Sequence, residues 1–341
     1  MKVILFFLFL LHSANAITCE DAAKNNGHVV ITGTTVEASA FKDCTALTSV
    51  DMPEVTTIGD SAFFGTALTS VDMPNVTEIG NSAFYGSALT TVTMPKVTKI
   101  DNNAFYGCNA LESVTMPKVT SIGWYAFYNT ALTSVNMTEV TTIGQYAFGG
   151  CNALTSVTMP NVETIGNSAF QYCTALETVD MPLVETIGIS AFYGCNALES
   201  VTMPNVTYID KNAFQGCTKL TTVNMPKVID IYDRAFQHCT ALTTVTMPKV
   251  TSIGLDAFKG CTALTDVIVS YRLTNYDLYT YNMIIGSVQE KKIKAQEEEI
   301  KELKLVLESF KNCSCGNAML SSCSEESVQN IVEYTKQLHS C

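Results

Sequence analysis

Basic charge is scarce in this chain: Lys and Arg number 20 of 341 residues against 32 Asp and Glu, a net charge of −12. The cations form no cluster along the sequence. Nucleic-acid binding, which draws its affinity from concentrated positive charge, is therefore not expected. Histidine is as rare, with 4 residues. His12, His28, His238 and His339 lie in no motif, and G-x-S-x-G, H-E-x-x-H and phosphate-loop patterns are missing. The chain reads as a non-enzyme without cofactor or metal. Long apolar runs are missing too: after the first residues, nothing approaches the roughly 20 apolar residues of a membrane helix. The stretch 332–341 lacks the hydrophobic tail of a lipid-anchor signal. No membrane insertion is expected.

What is present begins with Lys2, an apolar run over 3–11 and the small residues Ala14 and Ala16 around Asn15. This has the form of a secretory signal peptide over 1–16 and predicts a secreted, extracellular protein.

The dominant feature is a repeat. Phe recurs at 41, 63, 84, 105, 127, 148, 170, 192, 214, 236 and 258. Written from its Leu, a unit is L-x-x-V-x-M-P-x-V-x-x-I-G-x-x-A-F-x-x-C-x-A, as in Leu47, Val50, Met52, Pro53, Val55, Ile58, Gly59, Ala62 and Phe63. The L-x-x-V-x-M part alternates like a short strand with Val and Met inward, and Pro ends it for want of an N–H. Gly59 and its equivalents mark a bend where glycine's backbone freedom is useful, although Asp101, Asp210 and Tyr232 stand at that place. The S-A-F segments suit one helical or 3-10 turn. A single unit has one apolar side and nothing to bury it against, so successive units must stack as a solenoid with capped ends. Residues 17–46 form a cap and half-repeat, in which Val29 and Ile31 point inward. Residues 47–269 form the solenoid. Residues 270–286 form a second cap, where Tyr271, Tyr276, Tyr279 and Tyr281 shield the end.

The units M-P-x-V-T-x-I-G-x-x-A-F-x-x-C-x-x-L-T-x-V resemble the BspA-like, or Treponema pallidum-type, leucine-rich repeats of surface proteins, over about 47–269. The resemblance implies a curved leucine-rich repeat solenoid, a parallel β-strand face joined by short helical or 3-10 turns. It further implies adhesion to host or matrix proteins, and no enzyme activity. The family has no fixed functional residues to carry across.

The expected contact surface is the strand face, formed by the residues flanking each inward Val: Ser49 and Asp51, Ser70 and Asp72, Thr91 and Thr93, Thr178 and Asp180, Thr222 and Asn224, with the intervening pairs. Short hydroxyl, amide and carboxylate groups there suit protein or glycan partners through many weak hydrogen bonds. A second candidate is an aromatic edge after the Ala-Phe turns, at Tyr85, Tyr106, Trp124, Tyr125 and Tyr128. A structural or coat protein without a specific ligand is the alternative, and an ice-binding hydroxyl lattice is disfavoured by Asp and Asn interruptions. Asn75, Asn136, Asn205 and Asn312 begin glycosylation sequons. Thr138 replaces the usual Pro and places the Asn136 sequon on the strand face.

Of 13 Cys, Cys44, Cys108, Cys151, Cys173, Cys195, Cys217, Cys239 and Cys261 share one repeat position, and three shorter units omit it. That reads as buried filler. Cys19, Cys313, Cys315, Cys323 and Cys341 are the better disulfide candidates. Over 287–341 the composition turns to Glu and Lys, with Ile293, Ile300, Leu303, Leu307 and Phe310 on a heptad seam and Glu290–Lys294 and Glu297–Lys301 pairs in support. This predicts a C-terminal α-helical, coiled-coil-like tail that makes the chain a homo-oligomer. A second helix after Ser322 is the other partner for the seam.

Overall fold

The computed structural model describes residues 18–269 together with Gly286, Ile293, Lys294, Glu297, Glu298, Ile300 and Lys301. The chain divides into two compact units, Met1–Val288 and Gln289–Cys341. The first is a stack of parallel β coils. Each coil contributes a three- or four-residue strand centred on its inward Val, from His28–Val30 and Ser49–Asp51 through Ser70–Asp72 to Thr244–Met247 and Asp266–Val269. Neighbours pair in parallel register, Val onto Val: Val29 on Val50, Val92 on Val114, Val223 on Val245.

A second row of strands was not foreseen. Two-residue strands at Thr35–Val36, Thr57–Ile58 and Glu78–Ile79 form one parallel sheet, and those from Lys99–Ile100 to Ser252–Ile253 form an eight-stranded one. The Ile of each, or Val36 in the first, is buried. The chain bends just after that Ile, but glycine stands there for room rather than for angle. A Cβ on Gly59 would lie 2.6 Å from the Ala38 amide nitrogen, and one on Gly144 would lie 2.7 Å from the Gly123 carbonyl carbon. Neither glycine has a left-handed φ.

The S-A-F segments are not helical. Ser61, Asn103 and Tyr125 have φ of 55°, 57° and 56°, and four residues on Gly65, Gly107 and Asn129 have 66°, 67° and 53°. Two left-handed residues per coil interrupt any helix and turn alternate amides toward the next coil. Ser61, Phe63 and Gly65 donate to the carbonyls of Asn81, Ala83 and Tyr85 at 2.9, 2.7 and 2.7 Å. Most coils are thus hydrogen-bonded to the next on all three sides, which satisfies backbone that an isolated coil would expose; the second row breaks between Glu78–Ile79 and Lys99–Ile100.

Between the sides lies a core of Leu, Val, Met, Ile, Ala and Phe, nearly all of it inaccessible. From Phe41 to Phe258 the rings stack coil upon coil, with centroids 5.2 to 5.5 Å apart and planes within 11°. At the N-terminal end the helix Cys19–Lys24 buries Ala22 against this core. Thr18 caps it in a reciprocal pair with Asp21, whose carboxyl is held below its usual range by the Thr18 amide and hydroxyl.

Cys19 and Cys44 form a disulfide. Cys44 therefore departs from the buried-filler reading of its column: the helix folds back over the first coil and brings Cys19 to it. The other seven column thiols are free and buried.

In the second unit Ile293, Lys294, Glu297, Glu298, Ile300 and Lys301 have helical backbone. Lys301 pairs with Glu298 at 3.1 Å rather than with Glu297. The rest of the tail, with Asn312, Cys313, Cys315, Cys323 and Cys341, lies outside the described residues, as do the signal segment and the tyrosines of 270–286. Among the described residues no helix is long and apolar enough to cross a membrane.

Candidate functional site: the outward strand face

Strand pairing sets the outward residues in two columns. One runs His28, Ser49, and on the next ladder Ser70, Thr91, Ser113; the other runs Val30, Asp51, then Asp72, Thr93, Thr115. The sequence-derived positions Ser70, Asp72, Thr91, Thr93, Thr178, Asp180, Thr222 and Asn224 are exposed, as is Asp51, and Ser49 is half-buried. No strand ladder joins Ser49–Asp51 to Ser70–Asp72, Ser113–Thr115 to Ser134–Asn136, or Thr178–Asp180 to Ser200–Thr202. Beside the first of these junctions, where Thr69 still donates its amide to the Thr48 carbonyl at 3.4 Å, a depression of about 350 Å³ is lined by Ser49, Val50, Asp51, Ser70, Val71, Asp72, Thr91 and Thr93.

The threonines of the repeat differ in what they do. Four of those just before a strand are used by the fold: Thr90, Thr155, Thr221 and Thr243 donate their hydroxyls at 3.0 to 3.2 Å to carbonyls of the preceding coil, and these carbonyls also accept the threonines' own amides. Thr56, Thr77 and Thr120 do the same ahead of the second row. The outward Thr, Ser, Asp and Asn of the face from Ser70 to Thr246 make no side-chain hydrogen bond among the described residues. Their donors and acceptors remain directed at solvent.

Ser49 is held at 3.0 Å from His28 Nδ1, and the other ring nitrogen lies 3.6 Å from Asp51. Sequence reasoning passed over His28 because the register of the degenerate first coil against Ser49–Asp51 cannot be read from spacing.

The aromatic edge is real as a structure. Phe64, Tyr85, Tyr106 and Tyr128 stack at 4.5, 4.6 and 5.1 Å, Lys42 sits 5.0 Å over Phe64, and Tyr125 stacks on Tyr146 at 4.7 Å. Desolvation by their neighbours pushes the phenols of Tyr85, Tyr125 and Tyr128 up, so they are neutral at physiological pH. Rings stacked face to face spend their faces on one another and turn edges outward, which leaves little for a ligand to stack on. Trp124, 58% exposed, stands apart from this column.

Of the sequons, Asn75 and Asn205 have both ends of the amide engaged: they donate to the carbonyls of Pro53 and Pro182 and accept from Lys96 and Lys227. Asn136 is exposed on the strand face.

The thiol column is interior structure. Cys173, Cys195, Cys217, Cys239 and Cys261 each place Sγ 3.1 to 3.2 Å from the Phe carbonyl of the preceding coil, and donate to it. The three shorter units do not delete this position. Thr66, Ser87 and Thr130 fill it, at 3 to 4% exposure, and the residue lost lies beyond. Thr66 and Thr130 donate to the carbonyls of Phe63 and Phe127 at 3.0 Å. Burial pushes the Cys108 and Cys151 thiols up to about 11 and those of Cys173, Cys195, Cys217 and Cys239 well above their usual range. They are protonated and inert at neutral pH. Among the described residues no group of His, Cys, Asp and Glu is arranged to hold a metal ion.

A model of the BspA type leucine rich repeat region matches residues 34–155, 120–243 and 185–317. Among solved structures, a leucine-rich repeat protein from Bacteroides ovatus is 25% identical over 70% of this chain and 78% of its own, with a TM-score of 0.55. A leucine rich cell surface protein from Faecalibacterium prausnitzii is 30% identical, over 74% and 80%, with a TM-score of 0.47. The leucine rich repeat protein of T. pallidum is 26% identical, over 57% and 83%, with a TM-score of 0.42. No curated protein matches the chain.

Proposed function

Because the chain belongs to the BspA-type leucine rich repeat family, we propose that it is a secreted, non-enzymatic adhesion protein whose outward strand face binds a protein or glycan partner. One observation carries this reading: the fold takes up rim hydroxyls such as those of Thr90, Thr155, Thr221 and Thr243 and leaves those on the face from Ser70 to Thr246 unused. Short side chains in fixed register lose little entropy when they bind, so many weak bonds sum to useful affinity. An array of matrix proteins and glycans probed with the mature chain tests it. Replacing Asp51, Asp72 and Asp180 together by alanine is expected to lower binding to any positive spot at least about tenfold, the loss of one to two charged contacts. Unchanged binding moves the site off this face.

The second unit multiplies that contact. Ile293 and Ile300, one heptad apart on helical backbone, are 54% and 49% exposed, as seam residues are before a partner covers them. We expect the full chain to elute as an oligomer and a chain ending at Gly286 as a monomer. A monomeric full-length chain in sizing with light scattering would refute this, and with it the avidity it confers.

A further inference from the structure

Charge is not evenly spread around the coils. On the strand face and the rim before it stand Asp51, Asp72, Glu112, Glu177, Asp180 and Glu199, all exposed. No Lys or Arg occupies these columns from His28 to Ile268; the cations stand elsewhere, beyond the Pro turns and on the second-row side, at positions such as Lys96, Lys99, Lys118, Lys211, Lys227 and Lys249. Some are paired there, Lys99 with Asp101 at 2.6 Å, Lys211 with Asp233 at 3.7 Å and Lys259 with Asp256 at 3.3 Å, while Lys96 and Lys227 bond Asn75 and Asn205. On the face, Asp51 meets only His28, and the other five carboxylates have no ion pair among the described residues. The depression beside Asp51 and Asp72 gives this field a concave mouth, where low-dielectric walls focus it.

We infer that the strand face receives a Lys- or Arg-rich segment of another protein, with the carboxylates steering and the hydroxyls and amides of the two columns bonding the segment's backbone and polar groups. This rests on the strand face being the contact surface. An extended segment suits it, because a strand advances about 3.3 Å per residue while coils repeat about every 4.8 Å, so flexible cationic side chains can reach carboxylates in several coils without exact register. Glycans without amines gain nothing from such a field.

The test uses the full chain and a fluorescein-labelled peptide of alternating lysine and serine, with a glutamate and serine peptide as control. Two variants carry the same net charge. The first neutralises the face (Asp51→Asn, Asp72→Asn, Asp180→Asn, Glu112→Gln, Glu177→Gln, Glu199→Gln). The second neutralises exposed carboxylates elsewhere (Glu37→Gln, Glu54→Gln, Glu78→Gln, Glu139→Gln, Glu163→Gln, Glu185→Gln). By anisotropy at low salt, the face variant is expected to bind the lysine peptide at least about tenfold more weakly and the second variant less than about threefold, with wild-type binding falling as salt shortens the screening length. Equal weakening in both variants overturns the inference. All altered positions are exposed, and an unchanged thermal midpoint confirms that each variant folds. The two readings fail separately. A partner from the array that is lost on replacing Asp51, Asp72 and Asp180 but bound equally at low and high salt keeps the face and removes the cationic partner. A partner indifferent to those replacements removes the face itself.

Discussion

Replacing Phe148 by alanine is expected to cost the solenoid about 4 kcal/mol, at the upper end of large-to-small core substitutions. The ring is fully buried and stacked on Phe127 at 5.4 Å and on Phe170 at 5.3 Å. The neighbours cannot close over the gap, because the backbone around them is fixed: Phe127 donates to Ala147 and Phe148 to Ala169, both at 2.8 Å, and the Phe148 carbonyl accepts Cys173. A pinned cavity keeps its full penalty. The same change at Phe258, which is stacked on one side only in the described residues and is 7% exposed, should cost about half as much. Urea unfolding of both variants checks the pair. A cost at Phe148 below that at Phe258 would show that the rings are not one continuous spine. Because stability in a stack is a sum of coil and interface terms, the central variant should also split the transition in two.

Alkali is expected to unfold the chain through its thiols. Cys108 and Cys151 ionise at about 11 in the folded chain against a usual 9. Between these values the unfolded chain has lost protons that the folded chain still holds, so stability is whole below pH 9 and falls as pH rises toward 11. Each of the two thiols accounts for about 3 kcal/mol across that window, a large part of the usual 5 to 15 kcal/mol of a domain. The other raised thiols add to the loss. Tyrosine and lysine titrate in the same range, so the decisive comparison is a variant, Cys108→Ser with Cys151→Thr, whose melting temperature should fall less between pH 9 and 11 than that of the parent. Serine and threonine are suitable substitutes because Ser87, Thr66 and Thr130 occupy the same slot in this chain. Identical pH profiles would mean that the column opens to solvent before it ionises.

The stacking was legible because the recurrent Phe and the inward Val and Met of each coil leave no other way to bury one apolar side per unit. The second row of strands was not legible. Two residues such as Thr57–Ile58 carry no alternation, and their pairing depends on the neighbouring coil rather than on any local pattern. The turns were misread for a related reason: Ser61 and Tyr125 have no intrinsic preference for a left-handed backbone, which is imposed by bonds to the next coil. The three shorter units were read as lacking the cysteine's position, but Thr66, Ser87 and Thr130, each three residues after a buried Phe, occupy it with a hydroxyl in place of a thiol. The two face columns were readable from period-2 alternation. Which threonines the fold keeps for itself was not, since Thr90 and Thr91 differ only in direction. The Cys19–Cys44 bridge depended on a helix short enough to escape periodicity altogether.

The front of every coil in the solenoid is shaped to meet the back of every other, as the constant 5.2 to 5.5 Å step of the phenylalanine rings records. A coil copied by slippage between near-identical gene segments is therefore seated as soon as it is translated, with no new core to invent. Each copy lengthens the recognition surface by about 4.8 Å and adds two fresh outward side chains. Reach and specificity can thus diverge between descendants of such a gene while the end structures and the interior stay as they are.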